Sequence, residues 1–276
     1  DHGDALYTDK YKELILDYIS DIARNADANA HITIKYFGGE PLLKACFMFE
    51  LNREIKEIID RENKHITVSY EIDSNCTLLT REILLGFDNL SVATTLSLPE
   101  DHDALRSKTF RQVLRNLQSV ADLFELPQYR LNIEYNAHHG NIADFPEFLR
   151  LLKSLKIKCS VFVINIVNYE GTDFVNRLDD ETFEQIYCNS IIPALVENGF
   201  LVDILPRYGI KRTCDGMNTL NRKFYTNGTQ TLCSFFPKKQ EKELSDYPER
   251  IKARTYLDPL PEKCIKCFDF PYCGGE

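Results

Sequence analysis

The sequence predicts an α/β fold with a parallel sheet, followed by a small cysteine-rich domain. Up to about residue 206, runs rich in β-branched and aromatic residues alternate with segments of 3.6-residue periodicity. Beyond that point the composition shifts to Asn, Gly, Lys, Pro and Cys. The alternation predicts parallel strands joined by right-handed crossovers, in either a barrel or an open doubly wound sheet. We therefore expect one domain over residues 1–206 and a second over residues 207–276.

The elements of the first domain follow one another in a regular order. The predicted strands are 31–37, 66–72, 90–97, 130–136 and 159–167. The predicted helices are 7–24, 41–59, 80–85, 110–124, 144–155 and 179–198, with Gly199 ending the last one. In both sheet arrangements, functional residues gather where strands end and helices begin.

The second domain has few apolar residues and one hairpin signal. Asn227-Gly228 lies between strand-like segments at 223–226 and 229–233. The charged run 238–243 is typical of a solvated linker. Because so little apolar surface is available for a core, we expect a bound metal to support this fold.

Five of the nine cysteines form two closely spaced groups in this second domain. Cys264, Cys267 and Cys273 form a Cys-x2-Cys-x5-Cys array, and Cys214 and Cys233 flank Gly228 in a Cys-x13-Gly-x4-Cys array. Thiolates at such spacing select zinc, cuprous copper or iron-sulfur centres. A disulfide framework is the weaker interpretation, because it belongs to short secreted chains and this chain has 276 residues.

The other four cysteines are scattered among apolar or periodic segments, where free cysteine is usually a small core residue. We expect this role for Cys46, Cys76, Cys159 and Cys188. His138 and His139 fall in a polar loop after a strand, where solvated turn residues are the expectation.

Charge and hydropathy narrow the classes of partner. The net charge of −9 provides no broad basic surface for nucleic acid. The N-terminus lacks a signal-peptide pattern, and no stretch approaches the ~18 apolar residues of a membrane span. We therefore predict a cytoplasmic protein with neither a nucleic-acid nor a membrane partner.

The most informative loop of the first domain is Phe37-Gly38-Gly39-Glu40-Pro41, between a strand and a helix. Two glycines allow a sharp turn and close approach of a ligand to the backbone, and Pro41 fits the first helical position. Glu40 adds a carboxylate for a cationic group. A plain strand-to-helix turn is the alternative interpretation.

Together these features resemble the radical S-adenosylmethionine (SAM) enzymes that carry a SPASM domain and mature ribosomally made peptides or proteins. Residues 36–43 resemble the family's Gly-Gly-Glu-Pro motif, 74–80 its Thr-Asn-Gly-Thr-Leu-Leu segment, and 96–106 its Ser-Leu-Asp-Gly-Pro to His-Asp-x2-Arg stretch. The two cysteine arrays are similar to its auxiliary-cluster signature. The order of the matches along nearly the whole chain makes the resemblance specific.

The resemblance implies a partial (β/α)6 barrel, SAM as cofactor, and [4Fe-4S] clusters. It implies an oxidoreductase-type enzyme that takes hydrogen from a precursor peptide and receives electrons from a donor protein. The implied SAM-binding residues are Phe37, Gly38, Gly39, Glu40, Pro41, Ser74, Asn75, Ser97, Arg106 and Asn136. The implied ligands of one or two auxiliary clusters are Cys214, Cys233, Cys264, Cys267 and Cys273. Strand-end capping by Ser97 and Asn136, and a salt bridge of Arg106 at a helix start, are the ordinary alternatives.

The sequence also departs from the family pattern. The Cys-x3-Cys-x2-Cys motif of the catalytic cluster is not among these residues, and we expect it, with the first barrel strand, just before Asp1. The next tail cysteine would fall one position past Glu276. Cys76 stands where the family has glycine, and Pro99 where it has aspartate. Ser234 replaces the aspartate that sulfatase-maturing relatives use as a proposed base.

Two other interpretations stay open from the sequence alone. Thiolate pairs such as Cys264-x2-Cys267 also suit a structural zinc module beside an α/β domain. A peptide-binding relative that has lost catalysis is the second. Iron and sulfide content separates the first from the family interpretation, and cleavage of SAM separates the second.

Overall fold

The computed structural model describes residues 9–26, 29–62, 65–165, 177–200, 222–225 and 230–231. The strands of its main sheet are β1 His31–Tyr36, β2 Thr67–Asp73, β3 Leu90–Thr95, β4 Tyr129–Ala137 and β5 Ser160–Asn165. All neighbouring strands are parallel, and their spatial order is the chain order β1-β2-β3-β4-β5. The predicted α/β fold with a parallel sheet is confirmed.

The strand order decides between the two predicted sheet arrangements. In a doubly wound sheet the order reverses at a switch point, which places helices on both faces. Here the order never reverses, so crossovers of one hand place the helices on one face of the sheet. The winding is that of a barrel, in which the uncovered face becomes the interior.

Eight α-helices lie in the described residues. They are α1 Asp9–Asn25, α2 Ala45–Arg61, α3 Arg81–Leu85, α4 Pro99–Leu105, α5 Phe110–Ser119, α6 Phe145–Leu155, α7 Asp180–Ile186 and α8 Ile192–Glu197. A 3-10 helix over Pro41–Lys44 precedes α2, and a π-helical segment over Tyr187–Ile191 separates α7 from α8.

Two helix predictions need correction, and one helix was not predicted. The predicted helix 110–124 ends at Ser119, because the chain turns there to bury Leu123 and Phe124 in a separate 3-10 helix. The predicted helix 179–198 contains the π-helical segment. Helix α4 was not predicted as a separate element, since its sequence is mostly polar and its buried residue is His102 rather than an apolar stripe. Gly199 does follow α8 with a φ of 79°, so its predicted role is confirmed.

The two faces of the sheet differ in chemistry. The outer face carries residues such as Ile72, Val92, Ile133 and Tyr135, which pack with the helices in one hydrophobic core. The inner face carries residues one position away, because side chains alternate along a strand. These inner residues are mostly polar and include Lys35, Glu71, Asp73, Asn132 and Glu134.

The isolated cysteines do not share one environment. Cys76 is completely buried and Cys159 is partly buried, but Cys46 and Cys188 are exposed. The core prediction is therefore wrong for the two exposed cysteines. Cys46 lies two positions before Met48 and therefore off the stripe of buried residues on α2, and Cys188 lies in a π-helical segment whose period differs from that of an α-helix.

The chain divides into two compact units, one of Ile19–Val202 and one of Asp1–Tyr18 with Asp203–Glu276. In the second unit, Lys223–Phe224 and Gln230–Thr231 form an antiparallel pair, which confirms the strands of the predicted hairpin. Tyr11 donates its hydroxyl to the carbonyl oxygen of Phe224 at 3.0 Å. The predicted domain boundary itself stays a prediction. Within the described residues, no helix combines the length and the apolar character that crossing a membrane requires.

Candidate functional site

The loop after β1 has an open backbone and a fixed end. Gly38 adopts a φ of +116°, which side-chain-bearing residues rarely take, and a Cβ added at Gly38 or Gly39 would meet no atom within 4 Å. Phe37 is 67% exposed beside them. Pro41 begins the 3-10 helix, and Glu40 caps it by accepting a hydrogen bond from the Leu42 amide at 3.0 Å. The backbone therefore has room for a ligand on its exposed side.

Glu40 also connects this loop to the loop after β2. Its Oε1 accepts a hydrogen bond from Ser74 Oγ at 2.8 Å, and its Oε2 accepts one from the Asn75 amide at 2.8 Å. A carboxylate has about four acceptor positions, and with Leu42 three of them are used. The remaining position is enough for one ammonium hydrogen. Two of the motifs that the sequence singled out, the loops 37–41 and 74–77, thus lie side by side at the carboxyl ends of β1 and β2. We call these two loops the rim.

The Ser74–Thr77 loop is held from inside and from α5. Ser74 is buried, and its Oγ accepts a hydrogen bond from the Cys76 amide at 2.9 Å. Asn75 Oδ1 accepts from both the amide and the hydroxyl of Thr77. Asn116 of α5 donates to the carbonyl oxygens of Cys76 and Thr77. The Ser74 hydroxyl is thus committed to the loop, whereas the Asn75 side-chain amide still has hydrogens to donate.

Cys76 occupies a position where glycine is the natural choice. Its φ of 57° lies in the left-handed region, which costs an L-residue roughly 1–2 kcal/mol. Burial raises the pKa of its thiol to about 12, and the nearby Glu40 charge acts in the same direction. The thiol is therefore protonated at neutral pH, and its burial offsets part of the backbone strain.

The loops after β3 and β4 are joined through Asp101. Asn141 Nδ2 donates to Asp101 Oδ2 at 3.0 Å. Asn141 also donates to the Asn136 carbonyl oxygen at 3.0 Å. Burial opposes ionisation of Asp101, but the hydrogen bond from Asn141 and the nearby Ser97 and His138 hold the pKa of this carboxyl below its usual value. The predicted ligand Asn136 thus belongs to one hydrogen-bonded network with Asn141 and Asp101, and Ser97 lies close enough to Asp101 to influence the pKa of its carboxyl.

His138 is a member of this network, so its prediction as a solvated turn residue is wrong. Its Nδ1 accepts a hydrogen bond from the Gly140 amide at 3.0 Å, so Nε2 carries the proton and donates to Asp101 Oδ1 at 3.1 Å. His139 is exposed, as predicted. The sequence did offer one signal: a polar loop at a strand end lies where the ends of neighbouring parallel strands meet.

The His102-Asp103 pair of the third motif has a structural role. His102 is buried, and its Nε2 lies 3.3 Å from Thr109 Oγ1. Asp103 Oδ1 accepts a hydrogen bond from the Phe110 amide at 2.9 Å, at the start of α5. These contacts join α4 to α5. The hydrogen bonds of both side chains are therefore made between these helices and not with the rim.

Arg106 lies at the end of α4, and its amide donates to the His102 carbonyl oxygen at 2.8 Å. The alternative of a salt bridge at a helix start stays a prediction. Its guanidinium is near enough to Glu134 of β4 to lower the pKa of that carboxyl. Burial and the charge of Asp73 have the larger, opposite effect and hold the Glu134 pKa above its usual value.

The inner face is the part of the site that sequence reasoning missed. Lys35 Nζ lies 3.0 Å from Asp73 Oδ2 and 4.0 Å from Glu71 Oε2. A signal was available, because β1, β2 and β4 alternate apolar and polar residues along their whole length. Such alternation predicts one covered face and one polar face.

The predicted cluster ligands Cys214, Cys233, Cys264, Cys267 and Cys273 lie outside the described residues. Among the residues that are described, no group of three or more His, Cys, Asp or Glu side chains is arranged to hold a metal ion. The assignment of these cysteines stays a prediction.

Comparisons with known proteins support the fold. No protein-family model matches the sequence, and no curated protein sequence matches it. Solved structures do match, and among them are structures of anSMEcpe, a radical SAM enzyme of the anaerobic sulfatase-maturating type. The chain therefore has the fold of this class, as the motif resemblance implied.

The structures of anSMEcpe differ in the ligands that they contain. Native anSMEcpe with bound AdoMet and Kp18Cys peptide is 19% identical, with a TM-score of 0.69 over 98% of this chain and 80% of that chain. The form with AdoMet and Cp18Cys peptide is 17% identical, with a TM-score of 0.68 over 98% and 81%. The form with AdoMet alone is 18% identical, with a TM-score of 0.66 over 95% and 78%.

Proposed function

We propose that this chain contains the barrel of a radical SAM enzyme that modifies a ribosomally made peptide or protein. One observation carries the proposal: Glu40 joins the glycine-containing loop after β1 to the loop after β2 through Ser74 and Asn75. The family motifs thus meet at the carboxyl ends of adjacent parallel strands, where ligands of such sheets bind. The likeness to anSMEcpe with bound AdoMet and peptide supports the same assignment.

The residues divide the binding of SAM among themselves. The open backbone at Gly38 and Gly39, with the remaining acceptor position of Glu40, suits the methionyl ammonium group. Asn75, Ser97 and Asn136 are the proposed polar contacts for ribose or carboxylate. Asn141 links Asp101 to the backbone carbonyl of Asn136 by hydrogen bonds. Arg106 is the proposed cation for the carboxylate.

When bound, SAM and a [4Fe-4S] cluster supply a carbon radical that takes hydrogen from the substrate. The donor set on the rim fits a zwitterionic ligand, because an acceptor for ammonium and donors for carboxylate lie on adjacent loops. The five clustered cysteines are the proposed ligands of one or two auxiliary clusters, which a donor protein would reduce. Ser234 in place of aspartate indicates that the reaction differs from sulfatase maturation.

The deciding experiment uses the full-length gene product, reconstituted anaerobically with iron and sulfide. We expect a brown protein that binds SAM and, with a reductant, releases 5′-deoxyadenosine. Glu40→Gln should weaken SAM binding at least tenfold, while Glu57→Gln, an exposed carboxylate on α2, should leave it unchanged. A colourless protein with stoichiometric zinc, or one that binds no SAM, would contradict the proposal.

A further inference from the structure

A cavity lies on the inner face of the sheet, and its lining consists of strand residues rather than of the loop residues of the rim. Its volume is ≈ 170 Å³, and its lining includes Lys35, Glu71, Asp73, Asn132, Glu134 and Phe162. Pockets for whole small molecules measure roughly 300–1,000 Å³. The space is therefore suited to a single side chain rather than to a complete ligand.

The charges of the cavity are not balanced. Three carboxylates line it together with one ammonium group, that of Lys35, which already lies 3.0 Å from Asp73 Oδ2. Asp73 Oδ1 is buried and has no hydrogen-bond partner in the described structure. Within the described residues, the carboxylate of Glu134 forms neither a hydrogen bond nor an ion pair.

The electrostatics of Glu134 agree with this geometry. Burial raises the pKa of its carboxyl, Asp73 raises it further, and Lys35 and Arg106 offset only part of the effect. Ionised Glu134 therefore lacks sufficient positive charge nearby, and a cation placed beside it would be stabilised. A metal ion is disfavoured, because no three acidic or other ligand side chains in the described residues are arranged to hold one.

Phe162 adds an apolar surface next to this charge. Its position on β5 is in register with Glu134 on β4, so both side chains lie on the inner face. It is 48% exposed, which is unusual for phenylalanine in a sheet. An aromatic face beside a carboxylate suits a group with an alkyl stem and a cationic head.

We propose that this cavity binds a lysine or arginine side chain of the peptide substrate, with Glu134 contacting the cationic head and Phe162 the alkyl stem. The identity of the ligand as part of a substrate rests on the proposed function, but the preference for a cation rests on the cavity alone. Lys35 holds Asp73 and Glu71, so Glu134 is the carboxylate left for the ligand.

The test measures binding of two short peptides to the reconstituted full-length protein by calorimetry, without SAM. The probes are N-acetyl-Gly-Lys-Gly-amide and the same peptide with norleucine, which keeps the stem and lacks the charge. We expect the lysine peptide to bind at least tenfold more tightly. Glu134→Gln should abolish this preference, Phe162→Leu should weaken binding of the lysine peptide several-fold, and Glu57→Gln should change neither.

Equal binding of the two peptides, no binding of either, or an unchanged preference in Glu134→Gln would overturn the proposal. Circular dichroism of each variant confirms that it is folded, and Phe162→Leu provides a second, uncharged change at the same cavity. Because SAM is absent from this assay, a lysine preference without SAM cleavage would contradict only the proposed function. SAM cleavage without a lysine preference would contradict only the cavity assignment.

Discussion

The two faces of the sheet differ in how well their polar groups are paired. Tyr135 on the outer face of β4 is completely buried, with its ring centroid 4.8 Å from that of Phe148, and its hydroxyl donates to the Asn141 carbonyl at 2.6 Å. Glu134, one residue earlier, points to the inner face, where its carboxylate has no such partner in the described structure. The outer face stabilises the fold, and the inner face retains unsatisfied groups that a ligand can satisfy.

The largest predicted effect is on the free energy of unfolding when phenylalanine is replaced by alanine. The loss should be large on the outer face and small on the inner face. Phe148→Ala removes a fully buried ring and should cost about 3–5 kcal/mol of unfolding free energy. Phe162→Ala on the inner face should cost less than about 1 kcal/mol, because its ring is half-exposed. Chemical denaturation of both variants measures the difference. Similar costs would show that the inner face is packed as tightly as the outer one.

The rim at the carboxyl ends of β1 and β2 should show the next largest effect of a substitution on the free energy of unfolding. Glu40→Gln replaces a carboxylate that accepts three hydrogen bonds, and the new amide group would face a donor. We expect a loss of about 1.5–3 kcal/mol of unfolding free energy, as for hydrogen bonds to charged groups. Glu57→Gln is the matched control. If both variants are equally stable, Glu40 does not hold the two loops together.

Asp101 is a carboxylate that accepts hydrogen bonds from His138 and Asn141. Asp101→Asn should lower the free energy of unfolding by about 1 kcal/mol at neutral pH. Its pKa is lowered in the folded state by hydrogen bonds and by His138, so its contribution is complete above the unfolded value of about 3.9. The contribution is lost as the pH falls through the folded pKa. Denaturation at several pH values should therefore show the two proteins converging in acid. A difference that persists unchanged at low pH would rule out this electrostatic origin.

Substitution of Glu134 should have the smallest effect on the free energy of unfolding, and its sign should be opposite to that for Asp101. Its pKa is raised in the folded state, so the wild type loses stability as the pH rises above the unfolded value of about 4.3. Glu134→Gln removes this loss and should stabilise the protein at neutral pH by less than about 1 kcal/mol, because solvent screens a half-exposed carboxylate. Melting temperatures at acid and neutral pH measure it. A destabilised variant at neutral pH would mean that Glu134 is satisfied in the folded protein.

Sequence periodicity predicted the elements well and their relations poorly. The five strands were found within one or two residues of their described ends, and Gly199 was placed correctly after α8. Local rules suffice there, because strand propensity and a glycine stop depend on neighbouring residues. The exposed Cys46 and Cys188 differ from the prediction because burial of free cysteine is only a tendency of the residue type, whereas Cys46 lies off the buried stripe of α2 and Cys188 lies in a π-helical segment.

The candidate site divides in the same way. The glycine-containing loop and Glu40 were recognisable as a motif, and the structure brings Glu40 to Ser74 and Asn75. The roles of Asp101, His138 and Asn141 were not recognisable, because their hydrogen bonds join residues about forty positions apart. Such contacts exist only after the strands are placed side by side.

The sequence by itself determined the parallel α/β class, the order of the elements, the glycine-containing loop and the two thiol arrays, since each depends on residues close together in the chain. Only the tertiary structure decided that the strand order never reverses, that the helices cover a single face, and that three carboxylates share one cavity with Lys35. The physical reason is that alternation fixes which residues share a face, whereas the winding of the sheet decides which face is covered.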